Sequence, residues 1–158
     1  MLMGKDEIFN SMAGGLSILG MYMKAAVDKY GIDKALELYG EVGKGFGDTS
    51  AWRQRFGDRT PTAEELREVL LSSYGGMGFD VDITAGKGTV TNKLYRCPFY
   101  TGFSIAGMSH DVISKFCKAA FTAKMRVIEK DYPQITMNEE PRKTPDGFCV
   151  ETYKIKAA

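Results

Sequence analysis

Three cysteines and one histidine are the residues in this chain best suited to chemistry: Cys97, Cys117, Cys149 and His110. Each thiol falls in a different predicted element. Cys97 ends a strand-like run and is followed at once by Pro98, which cannot donate to a sheet ladder and should stop the strand. A Gly-containing loop, Thr101-Gly102-Phe103, then gives that thiol access to a cleft. Cys117 lies inside a helix, and Cys149 near the start of the last strand. Strand parity puts Cys97 on a face with Tyr95 and Lys93, and Cys149 with Glu151, Tyr153 and Ile155. If both faces turn toward the helix predicted from Ser109, the three thiols meet between helix and sheet. The opposite parity of either strand keeps them apart.

Two chemistries use such a set. A thiolate is a nucleophile, and a group of thiolates binds a soft or borderline metal such as zinc or iron. His110, at the first turn of its helix, meets the positive end of the macrodipole, which favours the neutral imidazole that a base or a ligand needs. It lies seven positions before Cys117, on the same helix face but roughly 10.5 Å away along the axis at about 1.5 Å per residue. That is long for two ligands of one ion, so the three cysteines form a better group than any set including His110. The competing reading is packing alone. Free cysteine is among the most buried residue types, and none of these spacings is a Cys-x-x-Cys motif.

Other candidates carry less. Gly43-Lys44-Gly45-Phe46-Gly47 and Gly86-Lys87-Gly88 lack phosphate-loop spacing and are predicted turns. Arg53 and Arg55, beside Trp52, offer carboxylate-binding forks or simply a solvated helix face. Asp131, just before Tyr132-Pro133, marks a helix stop and could orient a neighbouring group.

These residues must be positioned by the elements around them. Ile8, Met12, Leu16, Leu19 and Met23 recur at three and four positions, which predicts a helix ending at Gly31. Its Gly14, Gly15 and Gly20 would let another helix approach. A second helix starts near Asp33 and ends in the Gly43 to Gly47 region, and Asp48 to Asp58 is a short helix or a surface loop. Thr62 and Glu65 make a capping box for a third helix, buried through Leu66, Val69, Leu70 and Tyr74. The period then changes to alternation. Phe79, Val81 and Ile83 form one strand and Thr89 to Cys97 a second, together a hairpin. After the helix from Ser109 to about Lys130 come strands at Ile135 to Glu139 and Phe148 to Ile155. The order predicts an α+β fold in which N-terminal helices and one long later helix pack on an antiparallel sheet of about four strands.

The 158 residues, 44% of them hydrophobic and 26% charged, suit one domain over 1–158: a helical part at about 5–75, then sheet plus helix at about 79–155. With 21 basic and 20 acidic side chains, the net charge of +1 provides no field for nucleic acid or an anionic membrane. Lys5, Asp6 and Glu7 stand where a signal peptide would be apolar, and Met12 to Val27 is too short to span a bilayer. Three cysteines cannot all pair, which favours a reducing, cytoplasmic setting. The expected partners are a small-molecule ligand or substrate and, among proteins, a second copy in a homodimer.

The order Cys97-Pro98, Phe116-Cys117 in a helix, Asp131, then Gly147-Phe148-Cys149 in a last strand resembles the L-2-amino-thiazoline-4-carboxylate hydrolase family, over roughly Phe79 to Ile155. More distantly it is similar to the vinyl-reductase-like small-molecule-binding domains. The first resemblance implies a hydrolase that opens a C–N bond in a small cyclic amidine carrying a carboxylate. In those terms Cys97 or Cys117 attacks the carbon between nitrogen and sulfur, or a metal activates water there. His110 moves protons, and Arg96, Arg53 or Arg55 holds the carboxylate. The second resemblance implies a non-catalytic module that binds a ligand or a zinc through cysteines. Ser114, three before Cys117, stands where those domains carry an acidic ligand, which leaves Cys97, Cys117, Cys149 and His110 as the available metal set.

Overall fold

The structure, a computed structural model, describes residues 4–156; residues 1–3 and 157–158, the ends of the expected 1–158 domain, lie outside the described residues. It is an α+β fold with helices packed on a four-stranded antiparallel sheet. The helices are α1 (Lys5–Tyr30), α2 (Ile32–Phe46), α3 (Ser50–Phe56), α4 (Ala63–Gly76), α5 (Pro98–Ile105) and α6 (His110–Asp131). The strands are β1 (Asp80–Gly86), β2 (Thr89–Arg96), β3 (Ile135–Glu140) and β4 (Cys149–Ile155). Among the described residues no helix is long and apolar enough to cross a membrane.

Each hairpin forms as its sequence predicts, and the two join through β2 and β4, giving the order β1-β2-β4-β3. The last strand therefore lies inside the sheet, between β2 and β3. Its partners across β2 are Val90 opposite Tyr153, Asn92 opposite Glu151 and Leu94 opposite Cys149. Facing residues share a side of a sheet, so this register fixes the inward face as Val90, Asn92, Leu94, Cys149, Glu151 and Tyr153. α4 and α6 cover that face, while α1 packs along α5 and α2 along α6.

Two differences from the sequence-based expectation concern the site. The segment after Cys97 is the helix α5, with Cys97 as its N-cap and Pro98 in its first turn, and not a loop. Proline tolerates the first helical turn because its missing N–H has no partner there anyway. The Gly43 to Gly47 segment is also helical as far as Phe46. Its glycines serve contact: a Cβ on Gly43 would stand 2.6 Å from Ala120 Cα, and one on Gly47 2.6 Å from the Lys124 carbonyl oxygen. Gly20 and Gly102 do the same for α1 and α5, with a Gly102 Cβ falling 2.8 Å from the Ala13 carbonyl oxygen. Gly14 and Gly15 face open space.

Candidate functional site

A cavity of about 370 Å³ lies between the inward face of the sheet and the helices α2, α3, α4 and α6. All three thiols line it, Cys117 and Cys149 from the helix and the last strand expected to carry them. Cys149 does so by strand parity, on the face it shares with Glu151 and Tyr153. Cys97 arrives differently. Its parity partners Lys93 and Tyr95 point to solvent, and β2 ends one residue earlier at Arg96. The chain turns into α5 there, which swings Cys97 inward to cap the helix: the Tyr100 amide donates to its Sγ at 3.5 Å. Cys117 projects from the buried stripe of α6, beside Phe116 and Ala120. Tyr39, Trp52, Phe79 and Phe121 are among the aromatic rings that line the remaining wall.

Burial dominates the thiols. It pushes Cys97 up to about 11, although the Tyr100 amide and the Arg142 guanidinium work the other way. It holds Cys117 well above the ordinary thiol value, with the neighbouring Cys97, Glu139 and Cys149 adding to the shift. Burial therefore favours the protonated thiol at neutral pH for both.

The polar end of the cavity was not singled out by sequence. Glu151, on the inward face of β4, is buried and accepts hydrogen bonds from Tyr74, from Asn92 Nδ2 at 3.3 Å and from Tyr153 at 3.0 Å. Lys124 of α6 completes the group, donating to Tyr153 at 3.0 Å, to Tyr74 at 3.1 Å and to Glu151 at 3.4 Å. Burial pushes the Glu151 carboxyl up, but the Lys124 charge and the tyrosine hydroxyls outweigh it and hold it below the usual value. Lys124 is held above its usual value for the converse reason, the charge of Glu151 overcoming the cost of burial. Glu139, directly across from Glu151 in the β3–β4 register, has no such cation of its own. Burial, then the Glu151 charge, raise it to about 7 against the opposing pull of Lys124 and Lys118. A carboxyl poised there exchanges protons readily at neutral pH. Two sequence signals point to this group: Lys124 follows Cys117 by seven positions on one helix face, and Glu151 shares the Cys149 parity.

The remaining predicted residues are held elsewhere. His110 Nδ1 pairs with the Tyr100 hydroxyl at 2.9 Å, off the cavity wall. Arg96 pairs with Asp6 at 2.5 Å and lies 3.7 Å over the Phe9 ring. Arg53 pairs with Asp131 at 2.9 Å, Asp131 also accepts from Thr49, and Arg55 pairs with Glu68. None of the three arginines lines the cavity. Of the metal set Cys97, Cys117, Cys149 and His110, the three thiols share the cavity and the histidine stands apart from it. Among the described residues no group of three or more His, Cys, Asp and Glu side chains is arranged to hold an ion. The physical reason lies in α6, where seven positions separate His110 from Cys117 and the histidine is drawn to Tyr100. The zinc that the vinyl-reductase-like resemblance implies thus finds no set of three such side chains arranged for it among the described residues.

No protein-family model matches the chain, and no curated protein matches it.

Proposed function

We propose that this chain binds a small cyclic amidine carboxylate and hydrolyses a ring C–N bond in the thiol-lined cavity. The observation that carries this reading is the convergence of Cys97, Cys117 and Cys149 with Lys124, Glu139 and Glu151 on one cavity of about 370 Å³. Its size suits a small heterocycle, and its aromatic wall suits a flat one. A planar amidinium complements the Glu139 and Glu151 carboxylates. The likeness of Cys97-Pro98, Phe116-Cys117 and Gly147-Phe148-Cys149 to the L-2-amino-thiazoline-4-carboxylate hydrolases supports the same substrate class.

Cys97 is the thiol best prepared to attack, because an amide at the α5 N-terminus already points at its sulfur. Passing its proton to Glu139 is uphill, since burial raises the thiol to about 11 and the carboxyl only to about 7. An amidinium beside the sulfur lowers that cost, so the thiolate forms only with ligand in place. Sγ then bonds to the amidine carbon, Glu139 returns the proton to the ring nitrogen, and the C–N bond breaks. One water displaces the sulfur and restores the thiol, so the net change is addition of water across the ring bond.

The second reading is a ligand-binding module without catalysis, favoured by the burial that keeps Cys97 and Cys117 protonated. Incubation with 2-amino-thiazoline-4-carboxylate, followed by mass spectrometry of the opened product, separates the two. Hydrolysis requires turnover that drops about a hundredfold or more in Cys97→Ser and in Glu139→Gln. Full turnover in both Cys97→Ser and Cys117→Ser sinks the covalent step. Saturable binding without any product supports the binding module instead.

A further inference from the structure

α1 buries one face only. Phe9, Ala13, Ser17, Gly20 and Met23 turn inward. Gly20 brings the helix against α5, where an added Cβ would fall 3.2 Å from Phe103 Cα. The opposite face, centred on Ile18, is exposed along the length of the helix. Ile18 and Met21 are 58% and 54% exposed, and Tyr22, at 74%, is the most exposed large hydrophobic side chain among the described residues. A Cβ at Gly14 or Gly15, on the same face, would meet nothing within 4 Å. Glycine weakens a helix interior, so two adjacent ones on an open face go unexplained by the packing of a single chain.

These residues complement one another across a helix pair. Ser11, Gly14, Gly15 and Ile18 stand at i, i+3, i+4 and i+7, the four corners of a hole that accepts a side chain from a facing helix. The two glycines make this hole deep enough for an aromatic ring. If a second α1 runs antiparallel with the two Ile18 residues in contact, its Tyr22 lies level with Gly14 and over that hole, and twofold symmetry repeats the fit. The same register sets Glu7 level with Lys29 of the second copy, at both ends of the contact. Both side chains are exposed, and between them no charged residue interrupts the face. Glu7 Oε2 accepts from the Gly4 amide at 2.8 Å, and Lys29 forms no ion pair among the described residues. Parallel pairing would instead set like charge against like. Ends of opposite sign also give the face no attraction to an anionic bilayer.

We propose that the Ile18 face of α1 is a homodimer interface, in which two copies of this chain pair α1 antiparallel about a twofold axis at Ile18. The proposal goes beyond the reading of the cavity and is independent of it, since no residue of α1 lines the cavity. The contact runs about 33 Å from Glu7 to Lys29, at about 1.5 Å per residue. It buries roughly 1,000 Å² in total, the lower end of specific interfaces, which predicts a dissociation constant of about 1–100 μM.

Sedimentation velocity of the full chain from about 1 to 300 μM should show a monomer–dimer equilibrium. Tyr22→Glu should weaken it about tenfold or more. Gly15→Arg, which fills the hole from an open position, should do the same while the monomer keeps its far-UV circular dichroism. Lys29→Glu should weaken it about fivefold, because symmetry reverses two pairs, and adding Glu7→Lys should restore it. Oxidised Ile18→Cys should cross-link into a dimer, and Lys24→Cys, exposed on another side of α1, should not. A chain monomeric at the highest concentration, a dimer indifferent to Tyr22→Glu, a double charge variant no tighter than Lys29→Glu alone, or equal cross-linking at both positions overturns the proposal. Should Tyr22→Glu fail to fold, the charge exchange and the cross-link decide. A monomer that cosediments with phosphatidylcholine vesicles until Tyr22 is replaced assigns this face to a bilayer and rejects the dimer. None of these measurements reads the cavity, so a failed dimer leaves the hydrolase reading standing, and the converse holds.

Discussion

Lys124 Nζ of α6 lies 3.4 Å from Glu151 Oε2 of β4, an ion pair in which both side chains are mostly buried, at 15% and 10% exposure. Two tyrosine hydroxyls and an asparagine amide complete its hydrogen bonds, so the pair ties the long helix to the middle of the sheet. Desolvating two ions is costly, and the attraction between them offsets that cost only while both remain.

Removing one partner is therefore worse than removing both. Lys124→Met should destabilise the fold by about 3 kcal/mol, since it leaves the Glu151 charge buried alone. The double variant Lys124→Met, Glu151→Gln should recover a good part of that loss. Urea denaturation of the three proteins measures it. A single variant as stable as wild type would mean that the pair is already solvated.

Glu139 gives the fold a pH dependence of unusual sign for a carboxyl. Its folded value is near 7 against an ordinary 4.5, so between those limits the folded state binds more protons than the unfolded chain. This contribution is fully present below about pH 4.5, falls as pH rises through the window, and is gone above about pH 7. Glu139→Gln should remove that decline and be more stable than wild type at pH 8. Melting temperatures from pH 4.5 to 8 would show it, and an unchanged slope would place Glu139 in water.

Thiol chemistry should lag behind that of free cysteine. With Cys97 near 11, its alkylation by the neutral reagent iodoacetamide should be slow at pH 7.5 and climb steadily toward pH 11. Mass mapping of the labelled position against pH provides the profile. A Cys97 that reacts at pH 7.5 as fast as glutathione would show that the cavity admits water freely.

The glycines of α2 separate into two kinds. Gly43→Ala drives a Cβ to 2.6 Å from Ala120 Cα, a backbone atom that cannot rotate away, and should cost about 2 kcal/mol or more. Gly40→Ala, with nothing within 4 Å, should stabilise by about 0.5–1 kcal/mol through helix propensity. Thermal unfolding of both variants settles the pairing, and equal effects would contradict the close approach of α2 to α6.

Much of this architecture is legible in the sequence because it rests on local signals. The Thr62 and Glu65 box, the alternation of Val81 and Ile83 with Asp80 and Asp82, and the stripe of Ile113 and Phe116 all report short-range periodicity. α5 was hidden because Pro98 and Gly102 suggest a loop, whereas the proline sits in the first turn and the glycine admits α1. The site was half legible. Residue type points to the cysteines, but Glu139 and Lys124 resemble any surface charge until the packing of α6 on the sheet sets both beside Glu151. Their roles depend on contacts between residues far apart in the chain, which no local pattern encodes.

The close approach of α2 to α6 at Gly43 and Gly47 divides the cavity into two kinds of boundary. At that seam two backbones touch, and a side chain at either glycine would force the helices apart. On the opposite side stand Trp52, Leu70, Met77 and Phe79, whose volumes can change one at a time. Any drift in ligand shape would thus be recorded on the α3, α4 and β1 side, while the α2–α6 seam acts as a fixed mould.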